Sequence, residues 1–300
     1  MTAKFIAIDW GSTNFRAYRV ENTHTTDVIS LPIGITQLES PNFDQLLYDA
    51  ISPWYSWIAS ERIPVLLAGM IGSDRGWVDS GYQMLPLPLT DIKRGYIKID
   101  SSLPTEVFIH SGLAMDSPNF PNVMRGEEVQ LLGAISLKKT DCYLFPGTHS
   151  KWVAPINNQI TSFNTIMTGE LYHILMQYSL LGLSVPKDVS PEGFSLGLQE
   201  GTQAGSDIIT KLFVARAGRV LQQIPTQQVA GWLSGLLIGH EVATQLTHFK
   251  TAQSFSIIAA PTLAKLYQQA FQLHQLNATV IAPEQGLLQG FRSIYNELYP

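Results

Sequence analysis

Two short turns carry residue types suited to holding an anion. The first reads Ile8-Asp9-Trp10-Gly11-Ser12-Thr13-Asn14-Phe15-Arg16, and the second Phe145-Pro146-Gly147-Thr148-His149-Ser150-Lys151. Each follows a strand-like run with a glycine and a hydroxyl residue, then a basic residue and a second strand-like run. Glycine lets a backbone approach closely, and the N–H groups and hydroxyls of such a turn are donors for phosphate oxygens. Gly11, Ser12 and Thr13 are therefore one candidate phosphate segment. Gly147, Thr148, His149 and Ser150 are the other. Asp9 ends the first strand run, where a carboxylate suits Mg²⁺, which binds phosphates through one or two carboxylates and several waters. An ordinary hairpin with a solvated Asp has the same local pattern, and neither a Walker A loop nor a GxGxxG fingerprint is present. A third constellation, Arg125-Gly126-Glu127-Glu128, puts two carboxylates at a helix start, where the helix dipole favours their charged form.

The elements that must position these residues repeat along the chain. Residues 5–9, 14–20 and 25–31 read as an antiparallel meander. A helix is expected over 43–60, a short strand over 64–68, a Gly-, Asp- and Pro-rich loop over 69–88, a strand over 106–110 and a helical stretch over 124–137. The second half opens with another meander, 141–145, 151–156 and 159–164. Helices are then expected over 170–181, 206–219 and 227–247, a strand over 254–259, a helix over 261–273, a strand over 278–281 and a final helix over 284–298. The repeated meander points to an internal duplication, with two similar α/β domains facing a shared cleft.

Composition limits the class. The 300 residues are 45% hydrophobic and only 14% charged, with 24 acidic against 19 basic side chains and a net charge of −5. That apolar content builds a sizeable core and excludes a disordered chain. An acidic balance gives no electrostatic footprint for nucleic acid. No run is long enough for a membrane span, and no signal-peptide layout opens the chain, so a cytoplasmic protein is expected. The single cysteine, Cys142, excludes an internal disulfide and reads as a buried strand residue. The histidines are scattered and carry no metal-binding spacing. Nothing sets the oligomeric state, and a homodimer is one assembly the sequence allows.

Six separated motifs resemble one family. DWGSTNFRAY, AGMIGSDRGW, NVMRGEEVQLLGA, FPGTHSKWV, TIMTGELYH and LSGLLIGHEVA, in this order, are similar to the 2-dehydro-3-deoxygalactonokinases. The resemblance implies an α/β protein with two ribonuclease H-like (actin-like ATPase) domains around an ATP cleft. It implies ATP and Mg²⁺ as cofactors and phosphorylation of a 2-keto-3-deoxy sugar acid at its C6 hydroxyl. The domains would span 1–137 and 138–284, with a terminal helix, 285–300, packing back on the first. Members of this superfold place an adenosine-binding turn where Ala260 and Pro261 stand, although here no glycine is present. Glycerol kinase-like enzymes carry a catalytic Asp after a glycine at the place of Gly126-Glu127, which makes Glu127 the favoured base over Asp9 and Asp74. The acid's carboxylate needs a cation or several N–H donors. Arg75 is the first candidate, with Gly72, Ser73 and Trp77 in its loop, and Arg125, Arg16 and Lys151 as further cations. The competing readings are a kinase of the same fold for another sugar, polyol or anhydrosugar, a non-catalytic nucleotide or sugar sensor, and a phosphatase.

Overall fold

The computed structural model describes residues 3–300. The chain forms two compact units, one made of Met1–Lys139, Pro155–Ser162 and Pro283–Pro300, the other of Thr140–Ala154 and Phe163–Ala282.

The first unit is built on a six-stranded sheet. Strands β1 (Lys4–Trp10), β2 (Phe15–Glu21) and β3 (His24–Leu31) form the expected meander. Strand β4 (Val65–Ala68) runs parallel to β1, and the sheet is completed by β5 (Tyr96–Ile99) and β6 (Val107–His110) in the order β3-β2-β1-β4-β6-β5. Alternation along β1 sends its side chains into two cores. Ile6, Ile8 and Trp10 pack with helices α1 (Phe43–Ile51) and α2 (Tyr55–Glu61). Phe5 and Ala7 pack with Val129 of α3 (Glu127–Leu137) and with Leu287, Phe291 and Ile294 of the C-terminal helix Pro283–Leu298.

The helix expected over 43–60 is in fact two. Asn42 caps α1 by accepting from the Gln45 N–H, and a 3₁₀ turn at Ser52–Trp54 separates α1 from α2. Pro53 explains the break, since it has no N–H to continue the ladder. The expected loop over 69–88 carries structure as well, with a 3₁₀ turn at Met70–Gly72 and strands at Tyr82–Met84 and Leu87–Pro88.

The second unit repeats the plan in five strands. Strands β7 (Cys142–Phe145), β8 (Ser150–Val153) and β9 (Phe163–Ile166) form its meander. Helices α4 (Thr168–Tyr178), α5 (Pro191–Ala204), α6 (Ile208–Val220) and α7 (Val229–His248) follow. Strand β10 (Phe255–Ile258), α8 (Pro261–Leu273) and β11 (Ala278–Ile281) complete the order β9-β8-β7-β10-β11, with β10 parallel to both neighbours.

Two expectations need correction here. The third meander strand is not 159–164 but β9, because Asn157 and Asn158 both adopt positive φ (51° and 60°) and turn the chain back at once. The resulting strand Gln159–Ile160 pairs with Leu87–Pro88, so residues 155–162 belong to the first unit and not to a continuous domain 138–284. Helix α5 was not anticipated. Ser190 caps it by accepting from the Gly193 N–H, with Pro191 in its first turn. No helix among the described residues is long and apolar enough to cross a membrane.

Candidate active site

In the first unit three chain segments meet at the ends of β1 and β4. The register pairs Asp9 with Ala68 on one side and with Arg16 on the other. Gly69, at φ 95°, follows β4, and a Cβ there would lie 2.9 Å from the Trp10 carbonyl oxygen and 3.2 Å from Asp9 Oδ1. Gly126, at φ 105°, starts α3, and its Cβ would meet Gly69 Cα at 3.4 Å. Both glycines hold a backbone conformation that side chains disfavour, and both bring backbone close to a carboxylate. Burial pushes the Asp9 carboxyl up to about 6, the Arg16 charge opposes the shift and the Glu128 charge adds to it.

The two glutamates of α3 differ in environment. Glu128 is fully buried; its Oε2 accepts the Gly126 N–H at 2.6 Å, and its Oε1 lies 3.4 Å from His110 Nδ1. The other ring nitrogen, His110 Nε2, is 2.8 Å from the Ile92 carbonyl oxygen. Glu127 is only partly buried, and its Oε2 accepts the Arg125 N–H at 3.2 Å.

The turn Gly11–Thr13 rests on a second segment. The carbonyls of Gly11, Ser12 and Thr13 accept the N–H groups of Ile35, Thr36 and Gly34 at 3.1, 3.2 and 3.1 Å. A Cβ on Gly34 would stand 2.1 Å from the Ser12 carbonyl oxygen. This packing occupies the turn's carbonyl edge, while Ser12 and Thr13 themselves are exposed. Gly34 was missed by sequence reasoning, since its partners Ser12 and Thr13 lie far from it in the chain.

The acid-binding candidates separate by environment. Arg75 is exposed and Trp77 packs against the core. Ser73 is buried and donates its hydroxyl to the Met70 carbonyl at 2.7 Å. Gly72 is buried where a Cβ would meet Ser80 Oγ at 2.4 Å. Arg125 is held by Ser80 Oγ at 2.7 Å and the Gly81 carbonyl at 3.1 Å, with its guanidinium 4.3 Å from the Tyr82 ring centre. Gly72, Ser73 and Arg125 thus shape the loop that presents Arg75.

In the second unit the turn Gly147–Ser150 is clamped by the start of α4. The Glu170 N–H donates to the Thr148 carbonyl at 3.0 Å, and a Cβ on Gly169 would lie 2.3 Å from the Gly147 carbonyl oxygen. His149 Nε2 is 2.5 Å from Glu170 Oε2. Gly147 has open space where a Cβ would stand. Lys151, by contrast, is buried within β8 at 5% exposure, so its strand position does not offer it to the acid.

Beside this turn lies a cavity of about 360 Å³. Gly147, Thr148, Thr168 and Gly169 give it polar backbone, and Tyr172, Leu237, Leu263 and Leu266 give it apolar walls. Ala260 and Pro261 are exposed and stand outside its lining; the next turn of α8 supplies the wall instead. The apolar residues of α7 and α8 that make this cavity are ordinary core residues in the sequence, and only their convergence marks them. Cys142 is buried and its thiol is pushed up to about 12 by that burial, which removes it as a nucleophile. Among the described residues no three His, Cys, Asp or Glu side chains gather as a metal cage. A single carboxylate such as Asp9 meets the looser demand of Mg²⁺, which keeps waters and phosphate oxygens as its other ligands.

Comparison with known proteins gives the family and the fold. A solved structure from Sinorhizobium meliloti, provisionally given the name 2-dehydro-3-deoxygalactonokinase, superposes with a TM-score of 0.90 at 27% identity, covering 99% of each chain. Component A of (R)-2-hydroxyglutaryl-CoA dehydratase from Acidaminococcus fermentans superposes at 0.57 with 10% identity over 99% of each chain, a likeness of fold alone and consistent with the actin-like ATPase architecture. The 2-dehydro-3-deoxygalactonokinase of Escherichia coli strain K12 is 38% identical over 295 residues, 98% of both chains. Residues 9–294 match the 2-keto-3-deoxy-galactonokinase family, and with that span covering both turns and the Gly126-Glu127 segment, the chain belongs to this family of sugar-acid kinases.

Proposed function

We propose that this protein transfers the terminal phosphoryl group of ATP to the C6 hydroxyl of 2-dehydro-3-deoxy-D-galactonate. The products are ADP and 2-dehydro-3-deoxy-6-phospho-D-galactonate. The observation that carries the nucleotide half of this reading is the cavity in the second unit, where apolar walls adjoin the Gly147-Thr148 turn and the N-terminus of α4. An adenosine is apolar on its faces and a phosphate seeks N–H donors, and the two kinds of lining meet there.

Phosphoryl transfer depends chiefly on positioning and charge neutralisation. Gly11 to Thr13 and Gly147 to Ser150 would donate to the phosphate oxygens. Asp9 would hold Mg²⁺, which offsets phosphate charge when bound. Glu127 is the base in this reading, because Glu128 is already committed to Gly126 and sits against His110. As the acceptor oxygen bonds to phosphorus, the bond from the terminal phosphorus to the ADP oxygen breaks and the hydroxyl proton passes to Glu127. Arg75 would pair with the acid's carboxylate. A cytoplasmic place in galactonate breakdown fits a soluble nucleotide and a small anionic acceptor.

The test measures ADP release against a panel of 2-keto-3-deoxy acids, their gluco epimers, neutral sugars and polyols. The galacto acid is expected to give the highest kcat/KM. Acceleration by a neutral sugar alone would replace the substrate with that of a related kinase, and free phosphate in place of a phosphorylated acid would make the protein a phosphatase. In the same assay Glu127→Gln is expected to keep nucleotide binding while kcat falls by about two to four orders of magnitude.

A further inference from the structure

Beneath the phosphate turn of the second unit lies a carboxylate that the proposed chemistry does not use. Glu241, in the middle of α7, is 1% exposed. It accepts hydrogen bonds from three other elements. Trp152 Nε1 of β8 donates to its Oε1 at 2.8 Å. Its Oε2 accepts from the Tyr267 hydroxyl of α8 at 2.6 Å and from the Thr168 hydroxyl at the first position of α4. Ser150, the last residue of the phosphate turn, lies with its hydroxyl 3.1 Å from that of Tyr267. Because the Tyr267 proton is directed at Glu241, the Ser150 hydroxyl donates to Tyr267, and a chain runs from the turn through Tyr267 to the carboxylate.

A buried carboxylate is expensive, and apolar residues of similar volume often replace a buried ionic group and its partners without loss of stability. Burial here raises the Glu241 carboxyl above its usual range even though several donors oppose the shift. Stability alone therefore gives a poor reason for the group. Its partners give a better one. Thr168 and Tyr267 both line the cavity, and Thr168 precedes Gly169, whose backbone packs against the Gly147 carbonyl. One acceptor thus fixes the end of the turn, the start of α4 and a wall of the cavity with respect to one another.

We propose that Glu241 is the positioning residue of the nucleotide site, setting the Gly147–Ser150 turn and the α4 N-terminus in their phosphate-binding geometry. The inference rests on the reading of that cavity as the ATP site. Substituting Gln puts an amide N–H₂ where two hydroxyl protons now point, so both hydroxyls must reverse and the chain to Ser150 is reset. Thr168→Val and Tyr267→Phe each delete one donor at nearly constant shape.

Steady-state KM for ATP and for the acid, with ADP affinity by calorimetry, separates the alternatives. Glu241→Gln is expected to raise the ATP KM and the ADP Kd about tenfold or more, with the acid KM within about twofold of wild type. Thr168→Val and Tyr267→Phe are expected to shift the same two constants by smaller factors. The Glu241→Gln/Thr168→Val double variant should be no worse than Glu241→Gln, since both act through one contact. Nucleotide constants within about twofold of wild type in all of these variants would overturn the proposal even if their melting temperatures fall. An equal rise in the acid KM would overturn it too. The two conservative variants keep the test available if Glu241→Gln does not fold. Wild-type protein that fails to bind ADP refutes the cavity's assignment, whereas wild-type binding with unshifted variants refutes only the role of Glu241.

Discussion

Asp9 and the two glutamates of α3 show how much depends on which carboxylate is buried. Burial pushes the Asp9 carboxyl up to about 6, with the Glu128 charge adding to the shift and the Arg16 charge opposing it. The folded state therefore binds this proton more tightly than the unfolded chain does. The resulting stability is fully present below the unfolded value near 4 and is lost as pH rises through 6. At pH 8 the ionised group costs the fold up to about 3 kcal/mol, the equivalent of about two pKa units, less whatever solvent screens. Asp9→Asn is accordingly expected to melt above wild type at pH 8, with the gap closing towards pH 4, while turnover falls by orders of magnitude. Denaturant titrations at pH 4, 6 and 8 measure this, and a gap that does not change with pH would refute it. Glu128 makes the opposite prediction. Glu128→Ala leaves the Gly126 N–H without its acceptor and opens a buried space, so it should lower stability by about 2–4 kcal/mol. Glu127→Gln, at a partly exposed position, should leave the melting temperature close to wild type.

At the scale of elements, the pairing of α5 with α7 is the feature that the sequence disguised. Gly193, Gly197 and Gly201 recur every fourth residue on α5, as Gly231, Gly235 and Gly239 do on α7. The spacing puts each set on one helix face, so the backbones touch. A Cβ on Gly197 would stand 1.9 Å from the Trp232 carbonyl oxygen, and one on Gly235 would stand 2.2 Å from that of Phe194. Gly197→Ala must push the helices apart and is expected to cost about 1–3 kcal/mol, read from the urea midpoint at unchanged m-value. Helix α7 was legible because Trp232, Leu233, Leu236 and Leu237 keep its pattern apolar. Helix α5 was not, because glycine lowers helix propensity and Ser190-Pro191 looks like a loop until its cap is seen. The candidate site divides in the same way. Its turns and Asp9 stand out as candidates because their residue types suit phosphate and Mg²⁺, whereas Glu127 is set apart from Glu128 only by the family resemblance. Leu263, Leu266 and Glu241 could not, since each is an unremarkable helix residue until several elements bring it to one place.

Across the whole molecule, the two units do not correspond to two continuous stretches of chain. The backbone passes from one to the other after Lys139, Ala154, Ser162 and Ala282. The last passage returns the C-terminal helix to the first unit, where it covers the face of β1 opposite α1 and α2. Leu287, Phe291 and Ile294 are buried there against Phe5 and Val129. The approach to α3 is close, for a Cβ on Gly133 would lie 1.8 Å from the Gly286 carbonyl oxygen. Beyond the apolar seam, the Tyr299 hydroxyl donates to Glu106 at 2.6 Å, and Glu297 pairs with Lys93 and Arg94 at 2.7 Å each. Burial of three large apolar side chains contributes about 5–9 kcal/mol, a substantial share of the roughly 5–15 kcal/mol that keeps an ordinary domain folded. A chain ending at Ala282 would lose that contribution and expose Phe5, Ala7 and Val129 to water. The core of the second unit, from Cys142 and Leu144 to Phe255 and Phe271, contains no residue beyond 282 and would be retained. Hydrogen exchange on the truncated chain is therefore expected to show β1 and β4 losing protection by orders of magnitude while β7 and β10 keep theirs. Equal loss in both sheets would mean that the units fold as one cooperative body, and undiminished protection of β1 would mean that the C-terminal helix is dispensable to the sheet carrying Asp9.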